Sequence, residues 1–147
     1  MNSIDVLEDI KNKSPEERVS LTLGSLMYVL QRLQQELGNN ADSDKISLTF
    51  INAIVTLACR CDGEFNEKEI KLIKDTVYMA SYSDLTIDKY LQYLKKEYTD
   101  EQIKWLREIV DIVGNSDSCK LLFALFATAD STYGISERKT MVRLFGN

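Results

Sequence analysis

The sequence predicts an all-α fold, namely a single-domain bundle of about seven or eight helices. The chain has 147 residues, with one proline and only six glycines, and so few helix breakers favour long helices. Apolar residues recur at intervals of three and four along most of the chain, and no stretch shows sustained alternation of apolar and polar residues. The apolar content of 44% and charged content of 28% are typical of a globular domain.

Two helices are predicted in the first forty residues. Segment 3–12 reads as a short acidic helix. At Ser14 a second helix begins, because a serine cap precedes a proline and a glutamate follows at the third helical position. Its apolar stripe ends before Gly38 and consists of Val19, Leu23, Leu26, Leu30, Leu33 and Leu37. Gly24 interrupts this stripe and predicts a bend or a close helix crossing.

The next two helices flank an acidic turn. Residues 43–61 are apolar on nearly every side, which predicts a helix buried in the middle of the bundle. The sequence Asp62-Gly63 then makes a turn. Asn66 is the predicted cap of a helix that reaches about Tyr82, with Glu69 at its capping-box position.

The last part of the chain predicts four more helices. Segment 87–98 is a short amphipathic helix, and Thr99 opens another with Gln102 at its capping-box position. Residues 117–129 repeat the pattern of the buried helix. Ser136 is the predicted cap of the final helix.

The two turns that follow the buried helices resemble each other, which predicts a pseudo-repeated unit of helix, acidic turn and helix. The alignment pairs Cys61-Asp62 with Ala129-Asp130, Phe65 with Ile135, Asn66 with Ser136, Glu67 with Glu137 and Glu69 with Lys139. In this alignment the second turn is two residues longer. We expect the two acidic turns to lie on one side of the bundle.

The first turn carries a family resemblance. A buried helix that ends in Ala58-Cys59-Arg60-Cys61-Asp62-Gly63, with Phe65 two residues on and Glu69 four beyond that, resembles the TerB-like, or tellurite-resistance, domain. The resemblance covers residues ~15–146 by helix order. The predicted TerB-like domain is therefore 14–147, and 1–13 is an N-terminal extension. It implies a helical bundle, a role in chemical stress response or protein interaction, and a metal site at the paired turns that includes Asp62, Glu69 and Asp130.

Carboxylates at both turns suit a hard divalent cation such as Ca²⁺, Mg²⁺ or Mn²⁺. A standard EF-hand is excluded, because Ala58 and Arg60 fall on its first and third ligand positions. A site shared by both turns remains, with Asp62, Glu64, Asp130 and Glu137 as ligands beside Glu69. The alternative is structural: Glu67 and Glu69 stabilise the start of a helix through its dipole and cap.

Other chemistries are limited by composition. The chain has no histidine and three cysteines, which excludes a histidine-dependent triad and the usual zinc spacings. Cys59, Cys61 and Cys119 are interpreted as core residues, and the tyrosines around Tyr90 and Tyr93 as packing residues. A net charge of −5 argues against nucleic acid as a partner.

The apolar runs are too short for a membrane span, and the first residues do not form a secretory signal, so we expect a cytoplasmic protein. The leading hypothesis is a non-enzymatic TerB-like module that acts through protein partners. One alternative is a metal-dependent hydrolase that uses the carboxylates. The other is a structural, oligomerising helical protein, which a large exposed apolar face would favour.

Overall fold

The computed structural model describes residues 2–60, 65–78, 85–114 and 116–146, and these contain eight α-helices and no β-strand. The helices are α1 Ser3–Ile10, α2 Pro15–Leu37, α3 Ala41–Cys59, α4 Glu67–Ile73, α5 Ile87–Leu94, α6 Asp100–Val113, α7 Ser116–Ala127 and α8 Ile135–Phe145. A π-helical turn, Lys74–Tyr78, continues α4. The predicted all-α, single-domain bundle is confirmed. No helix within these ranges is long and apolar enough to cross a membrane.

Reciprocal capping boxes, in which a cap side chain and the third helical residue bond each other's backbone N–H, fix four of the helix starts. At the start of α2, the Glu17 N–H donates to Ser14 Oγ and the Ser14 N–H donates back to Glu17 Oε1, both at 3.2 Å. Reciprocal bonds of the same kind open α3 at Asn40, α4 at Asn66 and α6 at Thr99. The predicted caps at Ser14, Asn66 and Thr99 are therefore confirmed, and each contributes about 1 kcal/mol.

Helices α3 and α7 form the centre of the bundle. Every residue from 50 to 56 in α3 is buried, and so is every residue from 122 to 129 in and after α7. The two helices pack against each other, and α7 also packs against α1 and α2. This confirms that the two nearly all-apolar segments are the buried ones.

Helix α1 belongs to the same core as the rest of the chain. Val6, Leu7 and Ile10 are buried against α7 and α8. The Ser3 hydroxyl is also buried and donates to the Gly146 carbonyl at 2.5 Å, which joins the two ends of the described chain. Residues 2–13 are therefore packed into the bundle.

The inward side of α2 differs from the predicted stripe. Leu26 and Leu33 are buried as expected, but Leu23 is 41% exposed. Val29, Thr22 and Arg18 take buried positions instead. A Cβ placed on Gly24 would meet no described atom within 4 Å. The predicted close helix crossing at Gly24 is therefore wrong within the described chain.

Candidate functional site

The segments that follow α3 and α7 start at the same end of the bundle. A short connection, residues 38–40, joins α2 to α3, so these helices are antiparallel and α3 ends near the start of α2. Helix α7 also ends there, because Arg18 in the first turns of α2 donates to the Leu125 carbonyl at 2.7 Å. A cavity of about 440 Å³ is lined both by Arg60, after α3, and by Ser136 in α8.

Arg18 connects several helices at this end through hydrogen bonds, and it is only 3% exposed. Its guanidinium donates to the carbonyls of Ile10 and Lys11 at 3.0 Å, and its Nε donates to the Lys13 carbonyl at 3.1 Å. It also donates to Leu125, as above, and to Thr128 Oγ1 at 3.1 Å. Arg18 thus binds the carboxyl ends of both α1 and α7 to the start of α2.

Asp130 lies on the surface beside this arginine. Burial lowers the pKa of the Arg18 guanidinium, and the negative charge of Asp130 opposes that decrease. The Asp130 carboxylate also accepts hydrogen bonds from the Thr132 N–H at 3.2 Å and from Thr132 Oγ1 at 2.9 Å. Asp130 therefore stabilises the turn after α7 and balances a buried cation.

The other two predicted ligands that the structure describes are capping residues. Glu69 is buried, and its Oε1 accepts from the Asn66 N–H at 2.9 Å. Glu137 Oε2 accepts from the Gly134 N–H at 2.8 Å. Each glutamate occupies the third position of its helix. There it accepts a hydrogen bond from a backbone N–H that has no partner within the helix.

These caps correct the alignment of the two turns. The cap of α8 is Gly134 and not Ser136, so Glu137, rather than Lys139, occupies the position that Glu69 has in α4. Ile135 is 68% exposed, so it does not match Phe65, which is partly buried. The partly buried residue before the cap is Tyr133, as it is Phe65 in the first turn.

With the caps as reference, the two turns have the same length. Asp130 stands four residues before the cap Gly134, and Asp62 stands four residues before the cap Asn66. The apparent difference of two residues came from placing the second cap at Ser136.

A cation site at the turns stays a prediction. Among the residues that the structure describes, no three acidic or cysteine side chains are grouped so as to hold a metal ion. Asp62 and Glu64 lie outside the described residues. Glu69, Asp130 and Glu137 each use one carboxylate oxygen to accept hydrogen bonds that maintain the local fold.

Replacing Glu69 with alanine is expected to lower the free energy of unfolding by about 1 kcal/mol, the usual value of a lost cap. If its role is structural, the loss is the same with and without millimolar Ca²⁺, Mg²⁺ or Mn²⁺. Urea denaturation in each solution measures it, and Glu101→Ala, at an exposed position in α6, is the control. A loss that appears only in the presence of a cation would indicate a metal ligand.

A small apolar cavity opens at this same end, between α2 and α4. Its volume is about 240 Å³. Pro15, Val19, Leu72 and Ala129 provide the apolar walls. The charged residues around it are Arg18, Lys68, Lys71 and Asp75.

Two of the charged residues around the cavity form a solvent-exposed ion pair, in which Lys71 Nζ lies 2.9 Å from Asp75 Oδ2. We call this cavity the turn-end cavity; sequence periodicity did not indicate it, because its walls come from three separate segments.

Two of the cysteines are core residues, as predicted; Cys61 lies outside the described residues. Cys59 and Cys119 are fully buried. Burial raises the pKa of the Cys119 thiol from 9.0 to about 12. Tyr90 is also fully buried and donates to Asn52 Oδ1 at 2.7 Å, whereas Tyr93 is exposed. The packing interpretation therefore holds for Tyr90 and not for Tyr93.

The raised pKa of Cys119 predicts a loss of stability at alkaline pH. Between pH 9 and 12 the unfolded thiol loses its proton while the folded thiol keeps it, so ionisation favours unfolding and stability falls with rising pH. Urea denaturation of the wild type and of Cys119→Ala from pH 8 to 10.5 measures this. We expect the wild type to lose stability more steeply above pH 9; parallel curves would contradict the assignment.

Comparison of the chain with protein-family models, with curated proteins and with solved structures finds no match.

Proposed function

We propose that this chain is a non-enzymatic helical module of the TerB-like type, and that it acts by binding an acidic, amphipathic segment of a protein partner at the turn-end cavity. A role in stress response follows from the family resemblance of the first turn. The observation that carries the binding proposal is the cavity itself, which combines apolar walls with a lysine pair at its edge.

The size and lining of the cavity favour an apolar side chain as the anchor. Its volume of about 240 Å³ is below the usual range for small-molecule sites. Such a space suits one or two large apolar side chains, which is how anchor residues bind at protein interfaces. The rigid caps at Ser14 and Asn66 hold its two main walls, since they fix the starts of α2 and α4.

Charge around the cavity favours an acidic partner. Lys68 and the Lys71 side chain are exposed, so both can meet carboxylates at the rim of an interface. Arg18 adds positive charge beneath the rim, although its own donors are bonded to backbone carbonyls and Thr128. Among the residues that line the cavity, three cations accompany one carboxylate, Asp75, which pairs with Lys71.

Affinity capture with matched charge reversals tests the proposal. The bait proteins are the wild type, Lys68→Glu/Lys71→Glu, and the control Lys89→Glu/Lys104→Glu, which changes net charge equally at exposed positions in α5 and α6. Quantitative mass spectrometry should find partners that the cavity variant loses by about tenfold and that the control retains. An equal loss with both variants, or no loss with either, would contradict the proposal.

A further inference from the structure

The outward face of α2 differs from the other helix surfaces of this bundle. Between Val19 and Gln31 the sequence contains no charged residue. The exposed residues of this helix from 20 to 35 are Ser20, Leu23, Gly24, Met27, Tyr28, Gln31, Gln34 and Gln35. We call them the α2 face. By contrast, the exposed residues of α6 include Asp100, Glu101, Lys104, Arg107, Glu108 and Asp111.

Three large apolar side chains lie open on the α2 face. Met27 is 71% exposed, Leu23 is 41% exposed and Tyr28 is 38% exposed. Leu23 and Met27 are four residues apart and are therefore neighbours on the helix surface. Tyr28 is four residues after Gly24, so Gly24 lies between Tyr28 and the pair of Leu23 and Met27. A contiguous apolar patch without charge is characteristic of an interaction surface, because scattered exposed apolar residues are normal but clustered ones are not.

Gly24 lies within this patch and has no role within the described chain. A glycine inside a helix costs about 1 kcal/mol relative to alanine. Here the backbone does not need glycine, since φ is not positive, and a Cβ would meet no described atom within 4 Å. Ser20 lies one turn earlier on the same face. A small residue at an exposed helix position permits another helix to approach closely.

We infer that the α2 face binds the α2 face of a second copy of this chain, forming a two-fold symmetric dimer. A two-fold interface places the same patch on both sides, so a charge in it meets a like charge across the axis. The α2 face meets that requirement because it has no charge.

The shape of the face suits an antiparallel crossing at Gly24. Two antiparallel helices that cross there place residue 20 of one copy opposite residue 28 of the other. The Tyr28 ring of each copy would then cover the small Ser20 of the partner copy, and Met27 would pack beside the crossing. Two such helix faces bury on the order of 1,000 Å² in total, the lower end of specific interfaces, which indicates a weak dimer.

Sedimentation equilibrium at concentrations from about 1 μM to 1 mM tests the dimer, with an expected Kd of about 10–100 μM for the wild type. The variant Met27→Glu should be monomeric throughout. The matched control Val142→Glu changes an exposed apolar residue of α8 and should dimerise like the wild type. The proposed dimer is independent of the turn-end cavity, so Lys68→Glu/Lys71→Glu should also dimerise.

Gly24→Ala separates an interface role from a structural one. In dilute solution the variant should have a higher melting temperature than the wild type, because alanine favours the helix. The Kd of its dimer should nevertheless rise by tenfold or more, because the added methyl group lies at the closest approach of the helices.

A wild type that stays monomeric at every concentration, or an unchanged Kd in Met27→Glu, would overturn the inference. If the wild type is monomeric and captures another protein that the Met27→Glu variant does not capture, the α2 face binds that partner instead.

Discussion

Replacing Arg18 with alanine is expected to lower the free energy of unfolding by about 3–5 kcal/mol. The side chain is buried and donates to four backbone carbonyls and to Thr128 Oγ1. Its loss leaves the last carbonyls of α1 and α7 without these donors in a region that water reaches poorly. Urea denaturation followed by circular dichroism measures the change.

Two further variants make the Arg18 experiment specific. Arg18→Lys keeps the charge but has three donors on one nitrogen, so it cannot reach acceptors spread over both helix ends; we expect it to recover only part of the loss. Arg107→Ala, at an exposed position of α6, should change stability by no more than about 0.5 kcal/mol. A small effect of Arg18→Ala, similar to that of Arg107→Ala, would show that Arg18 does not tie the helices together.

Replacing Phe123 with alanine is expected to cost about 3–5 kcal/mol, the usual range for a large aromatic side chain removed from a core. Phe123 is fully buried in α7, and its ring contacts that of Phe145 in α8 edge to face, with centroids 6.0 Å apart. The cavity left by the substitution would therefore weaken the packing of the last helix as well as the centre of the bundle.

A double-mutant cycle with Phe145→Ala isolates the ring pair. The two single variants and the double variant should give a coupling of about 0.5–1.5 kcal/mol, as aromatic pairs do beyond the area they bury. Phe145 is only partly buried, so its single variant should cost less than Phe123→Ala. Additive losses would mean that the two rings do not interact energetically.

The fold could be predicted where short-range sequence signals determine it. The start of α2 follows from a serine, a proline and a glutamate within four residues. The burial of α3 and α7 follows from their near-continuous apolar sequence. Both signals are local, and both are confirmed.

The start of α8 shows where a local signal misleads. Ser136 is a good cap residue in isolation, but Gly134 occupies the cap, with no side chain to signal it. Glu137, at the third position of the helix, then accepts a hydrogen bond from the Gly134 N–H. A glutamate three residues after a glycine is a weaker sequence signal than a serine, so the prediction chose the wrong residue.

The polar contacts and the surface features could not be predicted from the sequence and became visible only in the structure. Arg18 and the turn-end cavity depend on groups from α1, α2, α4 and the end of α7, which are distant in sequence. Likewise, periodicity placed Leu23 inward with the other leucines of α2. In the structure Arg18, Thr22 and Val29 occupy buried positions of α2, and Leu23 is exposed.

Site-specific photo-crosslinking at position 71 tests the central claim, that a partner binds at the turn-end cavity, most directly. A photoreactive amino acid replaces Lys71 at the rim, and in a second protein it replaces the exposed Lys104 of α6 as control. We expect protein adducts from position 71 that map to acidic, apolar segments of a partner, and few adducts from position 104. Equal adducts from both positions, or none from position 71, would contradict it.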